Sequence, residues 1–141
     1  MAQRLKLIEN HQAFALLKNC FSLPKLQYIL RASPAYKSND NLARFDEILV
    51  AALSTVTNVQ FEGDSLIQAG LPVRLGGLGI RMSRDIALPA FISSLHSSSS
   101  LVEDILQNVQ LVNSVELRTA TEDWEMRGGG LALAADADRG R

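Results

Sequence analysis

The sequence predicts an all-α protein, a small bundle of about five to seven helices with a glycine-rich connecting loop. Apolar residues recur at intervals of three and four along most of the chain, which is the period of helices with one buried face. No stretch alternates convincingly between apolar and polar residues, as a half-buried strand does. With 141 residues, 47% of them hydrophobic, the chain is long enough for one globular core.

The first helix is predicted in the run HQAFALLKNCF, residues 11–21. Its buried stripe is predicted to consist of Ala13, Leu16, Leu17 and Cys20, with Phe14 and Phe21 beside it. We interpret Cys20 as a buried thiol, because no base stands near it to activate a nucleophile.

A second helix begins after Ser22, which can cap it, with Pro24 tolerated in the first turn. Its apolar face is Leu23, Leu26 and Leu30, and it ends at Ser33 because Pro34 disfavours helical geometry before it. Tyr28 and Tyr36, near the turns, are interpreted as partly buried anchors, with base stacking as the alternative.

A third helix of about four turns is capped by Asn39 or Asp40 and ends at Thr57 and Asn58. Its predicted stripe is Leu42, Phe45, Leu49, Ala52, Leu53 and Val56. A short helix follows Gly63, and Gly70 is predicted to stop it in a left-handed conformation.

Ser83 can cap the next helix, which is predicted to run to about Leu95 with Pro89 in its interior. Residues 97–100, SSSS, are interpreted as a polar linker, and Ser100 with Glu103 matches a capping box for a further helix. A final helix carries Leu117, Ala120, Thr121 and Trp124 and follows a weaker capping pattern at Asn113 and Glu116. We divide the chain into a helical domain, 1–112, and a C-terminal helix with a frayed tail, 113–141.

Charge is distributed unevenly along the chain. Residues 1–37 contain six basic residues and one acidic residue, a net charge of +5, whereas the other residues contain eight basic and fourteen acidic ones, a net charge of −6. The chain has one cysteine, and His11 and His96 lie far apart, so no metal site is predicted. No signal peptide or bilayer-length apolar run is present, and we expect an intracellular protein without a membrane partner.

The stretch LPVRLGGLGIR, residues 71–81, raises the question of a nucleotide site. It lacks the third glycine of a dinucleotide fingerprint and the Gly-Lys-Ser/Thr of a phosphate loop. Pro72, Gly76, Gly77 and Gly79 are therefore interpreted as a structural loop, in which glycine permits positive φ and close packing. No cofactor-binding or catalytic residue is predicted, because no nucleophile, base or phosphate loop is recognisable.

Several separated blocks resemble the region that follows the polymerase palm in reverse transcriptases of non-LTR (LINE-type) retrotransposons. The blocks, spread over about residues 5–110, are HQAFALLKNC, LPKLQYILRASPAY, LARFDEILVAAL, QAGLPVRLGGLGIR and DIALPAFISSL. The resemblance implies a thumb-like helical unit that packs against the duplex leaving the active site of an RNA-directed DNA polymerase. It also implies that Mg²⁺ belongs to a palm that this chain lacks, so that we expect no catalysis by this chain alone.

The resemblance implies an RNA–DNA or DNA duplex as partner, together with the palm and fingers. The candidate nucleic-acid-binding residues are Lys18, Lys25, Arg31, Lys37, Arg74 and Arg81. Solvated surface charges are the alternative interpretation of the four residues in the N-terminal part. Two other functions remain open: a helical protein-interaction or structural module, and a truncated relic whose unpartnered apolar surface would self-associate.

Overall fold

The computed structural model describes residues 2–5, 7–106 and 115–128, which form an all-α bundle without β-strands. Its helices are α1 (Ala2–Leu5), α2 (Asn10–Leu16), α3 (Leu23–Ala32), α4 (Asn39–Thr57), α5 (Asp64–Gly70), α6 (Ser83–Leu106) and α7 (Val115–Met126). A π-helical turn spans Leu17–Phe21, and short 3-10 turns span Ala35–Lys37 and Val73–Leu75. The predicted fold class is confirmed.

Two apolar clusters hold these helices together, and α4 contributes to both. The first core comprises Leu5, Ala13, Leu17, Leu49, Ala52, Leu53, Val56, Ala69 and Ile80. The second core comprises Leu30, Tyr36, Leu42, Ala87, Leu88, Phe91, Ile92 and Ala120. The long helix α4 therefore ties the N-terminal helices and α5 to the bundle of α3, α6 and α7.

The helices α3 and α4 agree with the sequence prediction. Leu23, Leu26 and Leu30 of α3 pack in the second core, and Ser33 ends the helix in an extended conformation. The caps differ from the prediction, because the Ser22 hydroxyl donates to the carbonyl of Lys18, at 2.6 Å. No side-chain hydrogen bond caps the start of α4, where Ser38 occupies the cap position.

The serine run is part of a helix, and its interpretation as a linker is wrong. Residues 97–100 lie inside α6, which continues without a break from Ser83 to Leu106, so the predicted capping box at Ser100 is wrong as well. The hydroxyls of Ser97 and Ser98 donate to carbonyls four residues earlier, at 2.6 and 2.9 Å. Because these serines bond back onto their own helix, they do not compete with it as they would in a turn.

The buried stripe of the first helical region lies at different positions from the prediction. Leu16 is 41% exposed and Cys20 is exposed, whereas Phe14 and Phe21 pack against the first core. Two phenyl rings bury more apolar area than a leucine and a thiol, and the π-helical turn at Leu17–Phe21 changes the angular spacing after α2. The prediction of a buried Cys20 is therefore wrong.

Two further details differ from the prediction, and others fall outside the described residues. Gly70 ends α5 without positive φ, and the following Leu71 is extended at φ −66°. Tyr28 is 82% exposed, whereas Tyr36 is 2% exposed, so only Tyr36 is an anchor. The cap at Asn113, the boundary at 112/113 and the tail 129–141 lie outside the described residues.

Tyr36 makes the stability of the second core sensitive to alkaline pH. Its ring centroid lies 5.7 Å from that of Phe91. Burial raises the pKa of Tyr36, the charge of Asp123 raises it further, and Arg127 opposes them. Because the pKa in the folded state exceeds that of the unfolded chain, the stability that the neutral phenol contributes is complete below about pH 10 and is lost as pH rises through the folded pKa.

We therefore expect Tyr36→Phe to reduce the fall in melting temperature between about pH 9 and 11. Thermal unfolding, monitored by circular dichroism at each pH, measures the melting temperatures. Tyr28→Phe is the matched control and should leave the wild-type fall in place. Equal falls for the wild type and Tyr36→Phe would contradict the assignment.

Candidate nucleic-acid interface

The glycine-rich connection, residues 71–81, forms a clasp between α5 and α6 that uses its own amides. The backbone N–H groups of residues 75–80 all donate to carbonyls of residues 69–73, at N···O distances of 2.8 to 3.2 Å. An anion-binding loop needs free N–H groups that point at the ligand. The amides of 75–80 therefore hold the connection closed and are not free to bind an anion.

The geometry of the clasp requires glycine at positions 76, 77 and 79. Gly76 and Gly79 adopt φ of +79° and +72°, which side chains rarely tolerate. Gly77 is buried against the chain that precedes it, and a Cβ atom there would lie 2.6 Å from the carbonyl oxygen of Gln68 and closer still to that of Leu71. Pro72 precedes the 3-10 turn and supplies the carbonyl that accepts from Gly77, at 3.2 Å.

Lys18 lies against this clasp. A Cβ atom on Gly79 would be 3.0 Å from its Nζ and 3.3 Å from its Cε. Its side chain is half-buried, on the π-helical turn that follows α2. The ammonium group of Lys18 is therefore held beside the loop that leads to Arg81.

The outer face of α3 carries an exposed aromatic ring between two cations. Lys25, Tyr28 and Arg31 are spaced by three residues and all are exposed. Successive members of such a set are neighbours on the helix surface, although Lys25 and Arg31 are about 120° apart around the axis, at about 100° per residue. The two cations are candidate binding residues, and the interpretation of Tyr28 as a partly buried anchor is wrong because its ring is exposed.

Lys37 and Arg74 lie in the 3-10 turns. Lys37 is exposed, with its Nζ 5.8 Å from the centroid of the Tyr36 ring. Arg74 is exposed in the turn Val73–Leu75. We assign these two residues no shared site.

Arg31 and Arg81 come together, although 50 residues separate them in the chain. Both line a groove of about 170 Å³ between α3 and the start of α6, together with Gln27, Leu30, Ile86 and Ala90 among others. Among the described residues, no carboxylate lines this groove. This is the point at which two of the predicted binding residues share one concave surface.

The six candidate cations make no ion pairs within the described residues. The pairs that form there join Arg84 to Asp46, at 3.3 Å, and Arg118 to Glu122, at 3.8 Å. Both pairs use basic residues from the acidic part of the chain. Among the residues that the structure describes, no ion pair therefore compensates the positive charges of Lys18, Lys25, Arg31 and Lys37.

Asp46 was not among the residues predicted from sequence, and it positions the start of α6 and with it Arg81. Its carboxylate is buried and accepts from the backbone N–H groups of Ser83 and Arg84, at 2.7 and 3.3 Å, and from Arg84 Nε at 3.3 Å. The signal was an aspartate on the buried stripe of α4, between Leu42 and Leu49. A carboxylate at such a position requires hydrogen-bond donors from another element.

Comparison of the chain with protein-family models, curated proteins and solved structures found no match. In the part of the chain that the structure describes, no helix has the length and apolar character to cross a membrane. No group of three or more His, Cys, Asp or Glu side chains among the described residues is arranged to hold a metal ion.

Proposed function

We propose that this chain binds the sugar–phosphate backbone of a nucleic-acid duplex, as a thumb-like helical unit of a reverse transcriptase of the non-LTR retrotransposon type. The observation that carries the proposal is the uncompensated positive charge: Lys18, Lys25, Arg31, Lys37, Arg74 and Arg81 make no ion pairs in the described chain. Lysine and arginine side chains bind nucleic acids mainly by neutralising the negative charge of the backbone phosphates.

The mechanism that we propose is positioning rather than base recognition. Contacts to phosphates set the register and orientation of a duplex without reading its sequence. The clasp holds Lys18 beside the loop to Arg81, and exposed Tyr28 adds a ring that can stack on a sugar or a terminal base. The palm and fingers of such a polymerase would supply the Mg²⁺ and the chemistry, and this unit would grip the duplex.

We expect simultaneous replacement of Lys18, Lys25 and Arg31 by alanine to weaken duplex binding at least about tenfold at low salt, because phosphate contacts dominate such affinities. Fluorescence anisotropy with a labelled RNA–DNA duplex measures the dissociation constant. As a control, Arg44→Ala with Arg118→Ala removes two positive charges outside the proposed surface, one of them paired with Glu122. If both variants weaken binding equally, the proposed surface is wrong.

A second candidate function is a protein-interaction module, and exposed apolar side chains favour it. Ile67, Val73 and Leu75 are 69%, 67% and 60% exposed along α5 and the clasp. Exposed apolar groups close together are typical of protein-binding surfaces. Light scattering, which measures the mass of the assembly, tests this function. A wild-type dimer that becomes a monomer on Val73→Ser, with unchanged affinity for a duplex, would assign these side chains to self-association.

A further inference from the structure

Two arginines, Arg31 and Arg81, line the small groove between α3 and α6. Arg31 projects from the last turn of α3, and Arg81 lies two residues before α6 begins. Both are exposed, and neither is in an ion pair among the described residues. Each guanidinium therefore keeps its donors free for a ligand that enters the groove.

The chemistry of the groove favours a phosphate group. A guanidinium is planar and offers donors in a fork that matches two phosphate oxygens. The amide of Gln27, one turn before Arg31 on α3, adds two further donors to the same lining. Because no described carboxylate lines the groove, an anion placed there meets donors without repulsion from a negative side chain in the described part of the chain.

The volume and the apolar lining of the groove further restrict the kind of ligand that it can bind. The groove measures about 170 Å³, whereas sites for drug-sized molecules and cofactors measure about 300–1,000 Å³. Leu30, Ile86 and Ala90 supply an apolar surface beside the two arginines. Such a surface suits the carbons of a sugar and lowers the local dielectric constant, which strengthens the attraction between guanidinium and phosphate.

We infer that Arg31, Gln27 and Arg81 together bind one phosphodiester of a duplex strand in the groove between α3 and α6. This inference rests on the proposed function, and it adds that the two arginines hold the same phosphate. Asp85 lines a neighbouring groove together with Arg81 and would compete for its guanidinium, although the two form no ion pair in the structure.

A double-mutant cycle tests the shared phosphate. The variants are Arg31→Ala, Arg81→Ala and their combination, with Arg44→Ala as a control on the exposed face of α4. We expect each single variant to weaken binding of an RNA–DNA duplex about five- to tenfold and to lower the salt slope by about one. The double variant should lose little more than either single one, since the one phosphate contact is already lost.

A duplex with one neutral methylphosphonate at each position in turn supplies the second readout. At one position, the methylphosphonate should weaken binding by the wild-type chain as much as the Arg31→Ala substitution does. At that position it should leave the affinity of the Arg31→Ala variant unchanged. Melting temperatures of the variants should stay within about 2 °C of the wild type, since both side chains are exposed.

The outcomes distinguish the inference from the proposed function. A double variant whose losses multiply, with a salt slope lowered by two, would show separate phosphates and overturn the shared phosphate site. Unchanged affinity of the double variant, with tight wild-type binding, would overturn the shared site and leave the proposed function standing. A wild-type chain that binds no duplex, but whose Gln27 side-chain NMR signals shift with inorganic phosphate, would overturn both and assign the groove to a free anion.

Discussion

Replacing Gly77 by alanine is expected to lower the free energy of unfolding by about 3 kcal/mol or more. The added Cβ would lie 2.5 Å from the carbonyl carbon of Leu71 and 2.6 Å from the carbonyl oxygen of Gln68. These atoms belong to the backbone at the end of α5 and the start of the clasp, so no side-chain rotation relieves the clash. The clasp would have to open, which breaks the hydrogen bonds that residues 75–80 donate to residues 69–73.

Gly76→Ala is the matched control, because it changes the neighbouring glycine in the same turn. Nothing lies within 4 Å of a Cβ atom at Gly76, although its φ is +79°. Its cost is therefore backbone strain alone, about 1 kcal/mol. Urea unfolding of both variants measures the difference, and a Gly77→Ala variant no less stable than Gly76→Ala would contradict the close packing of the clasp.

Replacing Asp46 by alanine is expected to cost about 2 to 4 kcal/mol of stability. The change removes the acceptor for the buried N–H of Ser83, 2.7 Å away, and for the N–H of Arg84 at the first turn of α6. It also removes a negative charge where the helix dipole favours one. The ion pair with Arg84 contributes less, because the Arg84 side chain is 55% exposed.

Asp46→Asn separates the contribution of the hydrogen-bond acceptor from that of the negative charge. An amide oxygen keeps an acceptor for Ser83 but removes the charge, so we expect a loss smaller than that of Asp46→Ala by about 1 kcal/mol or more. Chemical denaturation measures both, with Glu47→Ala as the control for removing an exposed carboxylate from the same helix. Equal losses for Asp46→Ala and Glu47→Ala would contradict the capping role.

The elements with strong apolar periodicity were predictable from sequence. α4 begins and ends where its pattern indicates, and Leu42, Leu49, Leu53 and Val56 are buried as predicted. The start of α6 at Ser83 was predictable too, but its continuation through residues 97–100 was not, because the serine run carries no apolar pattern and serines usually mark turns. Its helical state depends on hydroxyls that bond back to carbonyls of the same helix, an option that a serine run does not reveal by itself.

The candidate interface was predictable in its residue types and not in its geometry. The charge asymmetry of the chain identified Arg31, and the clasp sequence identified Arg81. Their meeting in one groove depends on the packing of α3 against the start of α6, which Asp46 fixes from α4. Contacts between helices distant in the chain depend on packing angles that periodicity does not specify. The same reason explains why the exposure of Tyr28 was missed.

The salt dependence of duplex binding tests the central proposal most directly. Fluorescence anisotropy of the 141-residue chain with a labelled RNA–DNA duplex would be measured from about 50 to 200 mM salt. With three phosphates contacted, we expect the logarithm of the association constant to fall with the logarithm of the salt concentration at a slope of about −0.9 per contact. The dissociation constant then rises about 40-fold over that range. A folded chain that binds no duplex at 50 mM salt, or binds it with an affinity that salt leaves unchanged, would contradict the proposal that its uncompensated lysines and arginines hold phosphates.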